Sequence, residues 1–486
     1  MTSAHIKGKF YLCIFARFLA IFFLLQISLQ SSLAQGISTI EDAEIQQYIR
    51  TMLNEVLASE NLPADGVNLH LVHDFSINAF VYDGMNVFVN LGLIISAESP
   101  EVIYGVLAHE CGHIKGVHLV KTSDEIKNSA IVSGSIGLAS LALLALGGGG
   151  ANGGADLAQA GILAAGQVFN RTLLSFTRTQ EREADAYALQ SLKKLGIGTD
   201  GIVELFTKLK KMQSKYVGTI DKYSVTHPLS DERIDFFKQN ELQNLRSKSL
   251  SELNLRHCLI SAKINGFFGV RPNFLSNRNF LQNARCNLYY KIFTQIGKKQ
   301  WRDALAFATT YKNEYINGKN TNLDSFFYET LGDINFGLKN FNIAAANYNI
   351  AYQNYQHEDF LLKHYQSRLM FETNAAHKNI TEIKNIIKGF EQILGQTESL
   401  AGSRGGRQKA HIIINQLISA YRQLAAIDYA GNQHQISANL YLALYYNKIG
   451  KVELSKQIFE NEKLKISTQK LTPNQTNTFL LTLMPM

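Results

Sequence analysis

The chain has 486 residues, which is too long for one ordinary domain and predicts two or three. With 46% hydrophobic and 18% charged residues, it is typical of a globular protein that buries sizeable cores. The formal net charge of +8 is mildly basic and fits contact with an acidic membrane surface. The sequence contains no dense basic stripe, so a nucleic-acid partner is excluded.

Residues 1–34 are predicted to be an export signal that is cleaved after Ala34. Three basic side chains and the apolar run FLAIFFLLQIS precede Ser32 and Ala34, small residues at the positions that a signal peptidase requires. An uncleaved anchor is the alternative, although the apolar core is short for a spanning helix. The mature protein is therefore expected in the periplasm, with or without membrane association.

Residues 35–249 are predicted to form one domain of helices with a small β-sheet. A helix is expected at 40–62, where apolar residues recur at three- and four-residue spacing, and another at about 99–122. Between them lie short β-like runs. One alternating run, VFVN, predicts a strand at the edge of the sheet.

An apolar stretch at 128–170 interrupts this domain. Residues 128–155 contain no charged side chain, and GGGGANGG separates two apolar runs. The second run is short for a return span, which favours a helical hairpin that packs over the domain or dips into a membrane surface. A transmembrane segment is the alternative.

The second half of the chain is predicted to be helical. Residues 250–282 are interpreted as a linker, and 283–486 as an all-α domain. Large and small side chains follow tetratricopeptide-repeat spacing at Tyr328, Leu331, Gly332, Ala344, Tyr348 and Ala351. Such repeats must stack, which leaves a concave face for a protein partner; a plain helical bundle is the alternative. The predicted fold class is therefore mainly α, with a small β-sheet in the first domain and a repeat-like solenoid after it.

Three cysteines remain once the signal is removed: Cys111, Cys258 and Cys286. An exported compartment permits a disulfide, and Cys258 with Cys286 is the only plausible pair. Two free buried thiols are the alternative.

The stretch LAHECGHIKGVH, residues 107–118, carries a metal-binding pattern. On a helix His109 and His113 project about 40° apart, so that two imidazoles can reach one ion. Glu110 lies one residue further around the helix, where it can take a proton from water beside the metal without binding the ion itself. Cys111 and His118 point away from this face and are expected to be structural.

A third ligand is expected from SFTRTQEREADAYAL. Glu181 and Asp185 are four residues apart and share a helical face, whereas Glu183 points elsewhere. One carboxylate can bind the metal while the other accepts the free ring N–H of a ligand histidine. Spacing alone leaves open which of them binds the metal.

Taken together, HECGH, TRTQEREAD and VTHPLSDERI resemble the HtpX-like and CAAX-prenyl-protease-like zinc metallopeptidases, metallopeptidase family 48. The closest resemblance is to their exported branch with tetratricopeptide repeats, the beta-barrel assembly-enhancing protease type. Specific motifs support this over roughly residues 40–270, and architecture alone supports it beyond.

The resemblance implies one Zn²⁺ per chain, held by His109, His113 and Glu181. It also implies that Glu110 is the general base and that Asp185 supports a ligand from outside the coordination shell.

Two later residues match family positions in the same way. His227 corresponds to a histidine near the metal, which either stabilises the oxyanion or occupies the open coordination position of a resting enzyme. Arg233 corresponds to an arginine that contacts substrate or orders the loop.

The predicted function is a periplasmic zinc endopeptidase that degrades misfolded or misassembled envelope proteins, with the repeats recruiting a protein partner. An extended polypeptide is expected to add to the VFVN strand, at Val87, Phe88, Val89 and Asn90. The alternative is a repeat-bearing chaperone or assembly factor with a blocked or inactive metal site.

Overall fold

A computed structural model describes eleven segments of the chain: residues 38–82, 85–118, 177–215, 227–245, 247–270, 279–316, 322–376, 378–398, 404–427, 431–448 and 451–468. The predicted signal (1–34) and apolar hairpin (128–170) lie outside these residues. Among the described helices, none combines the length and the apolar character that a membrane crossing requires. The described residues divide into two compact units: one holds those up to 40 and from 50 to 246, and the other holds 41–49 and those from 247 onward.

The first unit contains a mixed four-stranded sheet. Its strands are β1 (Thr39–Ile40), β2 (Asn68–Val72), β3 (Ala79–Tyr82) and β4 (Asn86–Asn90), in the order β1-β2-β4-β3. β4 runs parallel to β2 and antiparallel to β3. Alternation along β4 buries Val87 and Val89 on one face and directs Phe88 to the other, where it stacks between His70 and Phe80.

The prediction that VFVN lies at a sheet edge is wrong. Both sides of β4 are hydrogen-bonded, one to β2 and the other to β3. Its backbone is therefore not available to an extended substrate, and the substrate-binding prediction for Val87, Phe88, Val89 and Asn90 fails for this reason. Among the described strands, β1 and β3 occupy the two ends of the sheet.

Six helices are described in the first part of the chain: α1 (Ala43–Ser59), α2 (Leu91–Ser96), α3 (Pro100–Lys115), α4 (Arg178–Leu195), α5 (Asp200–Lys215) and α6 (Asp231–Gln239). Proline at the first position of α3 has a fixed φ suited to a helix start. α3 is almost completely buried because it packs against β3, α4 and α5. It ends at Lys115, earlier than the predicted 122.

The second unit consists of helices that pack mainly on their neighbours in the chain. They are α7 (Ser247–Phe268), α8 (Ala284–Gly297), α9 (Trp301–Tyr315), α10 (Asn322–Gly337), α11 (Phe341–Asn354), α12 (Glu358–Asn374), α13 (Ile380–Glu398), α14 (Arg404–Ala425), α15 (Gly431–Lys448) and α16 (Val452–Thr468). Gly332 on α10 faces the ring of Tyr348 on α11, where a Cβ would come within 2.4 Å of a ring carbon. The predicted fold class, mainly α with a small sheet, is confirmed, whereas the tetratricopeptide assignment stays a prediction.

The interpretation of 250–282 as a linker is wrong. Residues 247–268 form α7, which shares a core with α8 through Leu259, Ala262 and Phe293. Cys258 and Cys286 are disulfide-bonded and join these two helices. Glycine and proline in FFGVRPNF indicated an irregular segment, but the apolar residues before them recur at helical spacing and bury α7 in the second unit.

Candidate metal centre

Helix α3 brings two imidazoles together. His109 and His113 are fully buried, and their Nε2 atoms lie 3.1 Å apart. Gly112 lies between them on the side that faces α4, where a Cβ would be 2.7 Å from the carbonyl oxygen of Ala184. The glycine therefore allows the two helices to approach closely enough for α4 to reach the imidazoles.

Helix α4 supplies a carboxylate to the same point. The helix begins with a capping box, in which the Thr177 side chain accepts from the Gln180 backbone N–H and the Gln180 side chain accepts from the Thr177 backbone. This start places Glu181 in the first turn, with its oxygens 3.4 Å from Nε2 of His109 and 3.4 Å from Nε2 of His113. The three predicted ligands therefore meet at one place.

His227 completes the group. Its Nδ1 atom lies 3.3 Å from Nε2 of His109 and 3.2 Å from an oxygen of Glu181. One ligand atom from each of His109, His113, Glu181 and His227 lies within 4.8 Å of all the others. We call these four residues the metal cluster.

The separations within the metal cluster fit a bound metal ion. Zinc takes four ligands in a tetrahedron with bonds of about 2.0–2.1 Å, which separates the ligand atoms by about 3.3–3.4 Å. The contacts given above fall between 3.1 and 3.4 Å. Three imidazole nitrogens and one carboxylate oxygen are also a donor set that suits zinc and similar divalent metals.

Asp185 and Arg233 support the cluster from one side. Asp185 lies 2.9 Å from Nδ1 of His109, so its carboxylate can accept the ring N–H and leave Nε2 with a lone pair. Arg233 donates to both oxygens of Asp185, at 2.7 and 2.8 Å, and its Nη1 lies 2.5 Å from Glu181. The Arg233 side chain is only 4% exposed, and this buried position favours loop ordering over substrate contact, since Nη1 also donates to the Pro228 carbonyl at 3.3 Å.

The electrostatics favour the metal-binding forms of Glu181 and His113, whereas at His109 burial opposes protonation but Glu181 and Asp185 raise the pKa of the imidazole. Burial opposes ionisation of Glu181, but His227 and His109 hold the pKa of this carboxyl well below its usual value. Burial likewise opposes ionisation of Asp185, and His109 with Arg233 lowers its pKa. Burial lowers the pKa of His113 well below normal, which keeps that imidazole neutral.

Glu110 lies beside the cluster without belonging to it. Its carboxylate is fully buried, and its nearest basic neighbour is Nε2 of His227, 3.4 Å from one oxygen. Burial raises the pKa of Glu110 to about 7, although His227 and Arg233 favour the ionised form. A carboxyl group with a pKa near neutrality is suited to take up and release a proton.

Sequence reasoning missed two features near the cluster. It left His118 and Glu183 out of the site, whereas His118 lies 3.0 Å from His113 and 2.8 Å from Glu183. It also included β3 in a β-like run without giving it a role in the site, whereas the backbone of Val81 is close enough to act on the pKa of Glu110. The alternation in AFVY, followed by Asp83-Gly84 and VFVN, could have indicated a hairpin with β3 as its outer strand.

The buried histidines and carboxylates of this site are the residue types that metal-dependent hydrolases use. A family model described as Peptidase family M48 matches residues 43–241, which include all four cluster residues and Glu110. Residues 43–241 therefore match a metallopeptidase domain of family M48, and the resemblance predicted from the motifs is confirmed.

Curated relatives agree with this assignment. A beta-barrel assembly-enhancing protease of Yersinia pestis is 29% identical over 238 residues, which are 49% of this chain and 47% of the relative. One from Escherichia coli K12 is 27% identical over 40% of this chain and 38% of the relative. The mitochondrial metalloendopeptidase OMA1 of Schizosaccharomyces pombe is 26% identical over 38% of this chain and 50% of the relative. The chain thus spans half the length, or less, of these relatives.

Proposed function

We propose that the protein is a zinc-dependent endopeptidase of the bacterial periplasm. The observation that carries the proposal is the convergence of His109, His113 and Glu181 within 3.4 Å, with the Glu110 carboxylate beside them. A zinc ion bound there would supply a Lewis acid for the scissile carbonyl and would make water easier to deprotonate.

The residues of the chain then have distinct roles in hydrolysis. Glu110 takes a proton from the attacking water as the oxygen bonds to the carbonyl carbon, and it later passes this proton to the leaving amine as the C–N bond breaks. Asp185, oriented by Arg233, holds the His109 ring with Nε2 toward the cluster. Burial of the whole group keeps bulk water from competing for these contacts.

Unfolded or misassembled envelope proteins are the proposed substrates. An endopeptidase needs an extended backbone at its site, which a folded protein does not offer. The names of the bacterial relatives associate them with beta-barrel assembly, and this supports a role for the protein in the quality control of that process.

The experiment that tests the proposal combines metal analysis with a digestion assay. The purified protein is expected to hold one zinc per chain and to cleave an unfolded casein substrate. A chelator should abolish the cleavage, and added zinc should restore it, because Glu110 alone cannot activate water sufficiently. Cleavage that persists in protein shown to be metal-free would contradict the proposal.

A second candidate function is that of an assembly factor with a blocked metal site. The position of His227 favours it, because Nδ1 of this residue occupies a fourth ligand position that a catalytic water would otherwise take. The cluster residues His109, His113 and His227, like Glu110, are also 0% exposed. We favour an enzyme in a resting state over a protein without catalytic activity, since an inactive site would not need a buried carboxyl group at position 110.

The helices of the second unit are proposed to recruit a protein partner of the assembly process. Ile343 and Ile350 are 52% and 38% exposed and lie two turns apart on α11, so they form one apolar face. Changing both to aspartate should weaken co-isolation of outer-membrane assembly components and leave cleavage of a short peptide unchanged. Equal co-isolation by the wild type and the variant would rule out this face.

A further inference from the structure

His113, the second predicted ligand histidine, is contacted by His118, which does not belong to the metal cluster. The contact is on the edge of the His113 ring that faces away from the cluster. Its Nε2 atom faces the cluster, whereas Nδ1 lies 3.0 Å from Nδ1 of His118. The other ring nitrogen of His118 lies 2.8 Å from a carboxylate oxygen of Glu183. The three side chains form a continuous line from the cluster to the surface of α4, where the Glu183 side chain is 49% exposed.

The proton positions along this line follow from the chemistry of metal binding. Nε2 of His113 must carry a lone pair to bind a metal, so the ring proton of the neutral imidazole is on Nδ1. Nδ1 of His118 must then accept from His113, which leaves the His118 proton on Nε2, directed at the Glu183 carboxylate. This arrangement satisfies every contact in the line with two neutral rings and one carboxylate.

The backbone after α3 is shaped to bring His118 to this position. Val117 has φ of 55°, a left-handed conformation that is costly for a β-branched residue. A Cβ on Gly116 would lie 2.2 Å from Nε2 of His118, so a larger residue would displace the imidazole. His118 is fully buried, and its carbonyl accepts from the Gln180 side chain at 3.4 Å. These features indicate that the contacts of His118 hold the chain in this return, because the local sequence at Val117 does not favour it.

We propose that His118 and Glu183 are positioning residues that fix the orientation and tautomer of His113. Helix α4 then controls both ligand histidines: Asp185 holds His109 directly, and Glu183 holds His113 through His118. The inference rests on the proposed zinc function, since it concerns a ring that binds the ion.

The test measures zinc affinity by competition with a chelator of known affinity, which requires no peptidase substrate. His118→Ala is expected to weaken zinc binding about 10- to 100-fold, the usual effect of losing such a supporting contact. Glu183→Ala should weaken zinc binding by only about tenfold, because water can replace a half-exposed carboxylate. His118→Asn should recover part of the affinity, since its Oδ1 can accept from His113 near the position of Nδ1.

Two controls accompany these variants. Glu232→Ala removes an exposed carboxylate that pairs with Arg182 of α4, and it should leave zinc affinity unchanged. The melting temperature of each metal-free variant separates a positioning role, which changes affinity, from a purely structural one, which changes only stability.

Wild-type zinc affinity in His118→Ala and Glu183→Ala would overturn the proposal and leave the zinc function intact. If His118→Ala does not fold, the surface variant Glu183→Ala decides: a loss of affinity supports the proposal, and wild-type affinity overturns it. A wild-type chain that binds no zinc would refute the proposed function itself.

Discussion

Replacing Glu110 by glutamine is expected to slow cleavage of an unfolded polypeptide by about 10²- to 10⁴-fold while zinc stays bound. The two side chains have the same shape, but an amide cannot accept the proton that the attacking water must lose. Glu110 is not part of the metal cluster, so its replacement leaves the ligands in place. The measurement is the turnover number on casein, with zinc content determined on the same preparation.

The matched control is Glu232→Gln, which makes the same chemical change at an exposed carboxylate and should not alter turnover. Unchanged turnover in Glu110→Gln, with zinc bound, would defeat the peptidase proposal. The blocked-site assembly factor would then be the better explanation.

Replacing His227 by alanine is expected to raise basal cleavage about tenfold or more at saturating zinc. The imidazole lies 3.3 Å from His109 and 3.2 Å from Glu181, close enough to act as the fourth ligand of an ion held by the other three residues. If the site opens in only about 0.1–10% of molecules, removal of the blocking ring should raise activity by the inverse of that fraction. The measurement is the initial rate of casein cleavage in the absence of any partner.

The opposite result is equally informative. A fall of about 10²- to 10³-fold would show that His227 stabilises the oxyanion and does not block the site. His73→Ala, which removes an exposed imidazole outside the metal cluster, is the control for nonspecific effects of losing a histidine.

Several features of the site can be read from the sequence because they depend on local periodicity. Four-residue spacing places His109 and His113 on one helical face whatever the tertiary structure, and the same holds for Glu181 and Asp185. The resemblance of these motifs to zinc metallopeptidases also identified the class of the domain, with which the family match over residues 43–241 agrees.

Features that depend on contacts between distant segments could not be read in this way. Alternation in VFVN predicted a strand correctly, but its partners β2 and β3 determine that it is internal. Turn-forming residues in FFGVRPNF suggested a linker, whereas packing against α8 makes residues 247–268 a helix of the second unit. The local sequence pattern does not encode these packing partners, β2 and β3 for the strand and α8 for the helix.

By itself, the sequence determined that two imidazoles and a carboxyl pair lie on helical faces and can meet a metal ion. Only the tertiary structure decided that Glu181 faces both imidazoles while Asp185 contacts Nδ1 of His109, and that His118 returns to support His113. The physical reason is that helical periodicity sets the direction of a side chain. How far that side chain reaches toward a neighbouring helix depends on how closely the two helices pack. Here the close approach of Gly112 to the α4 backbone sets that distance.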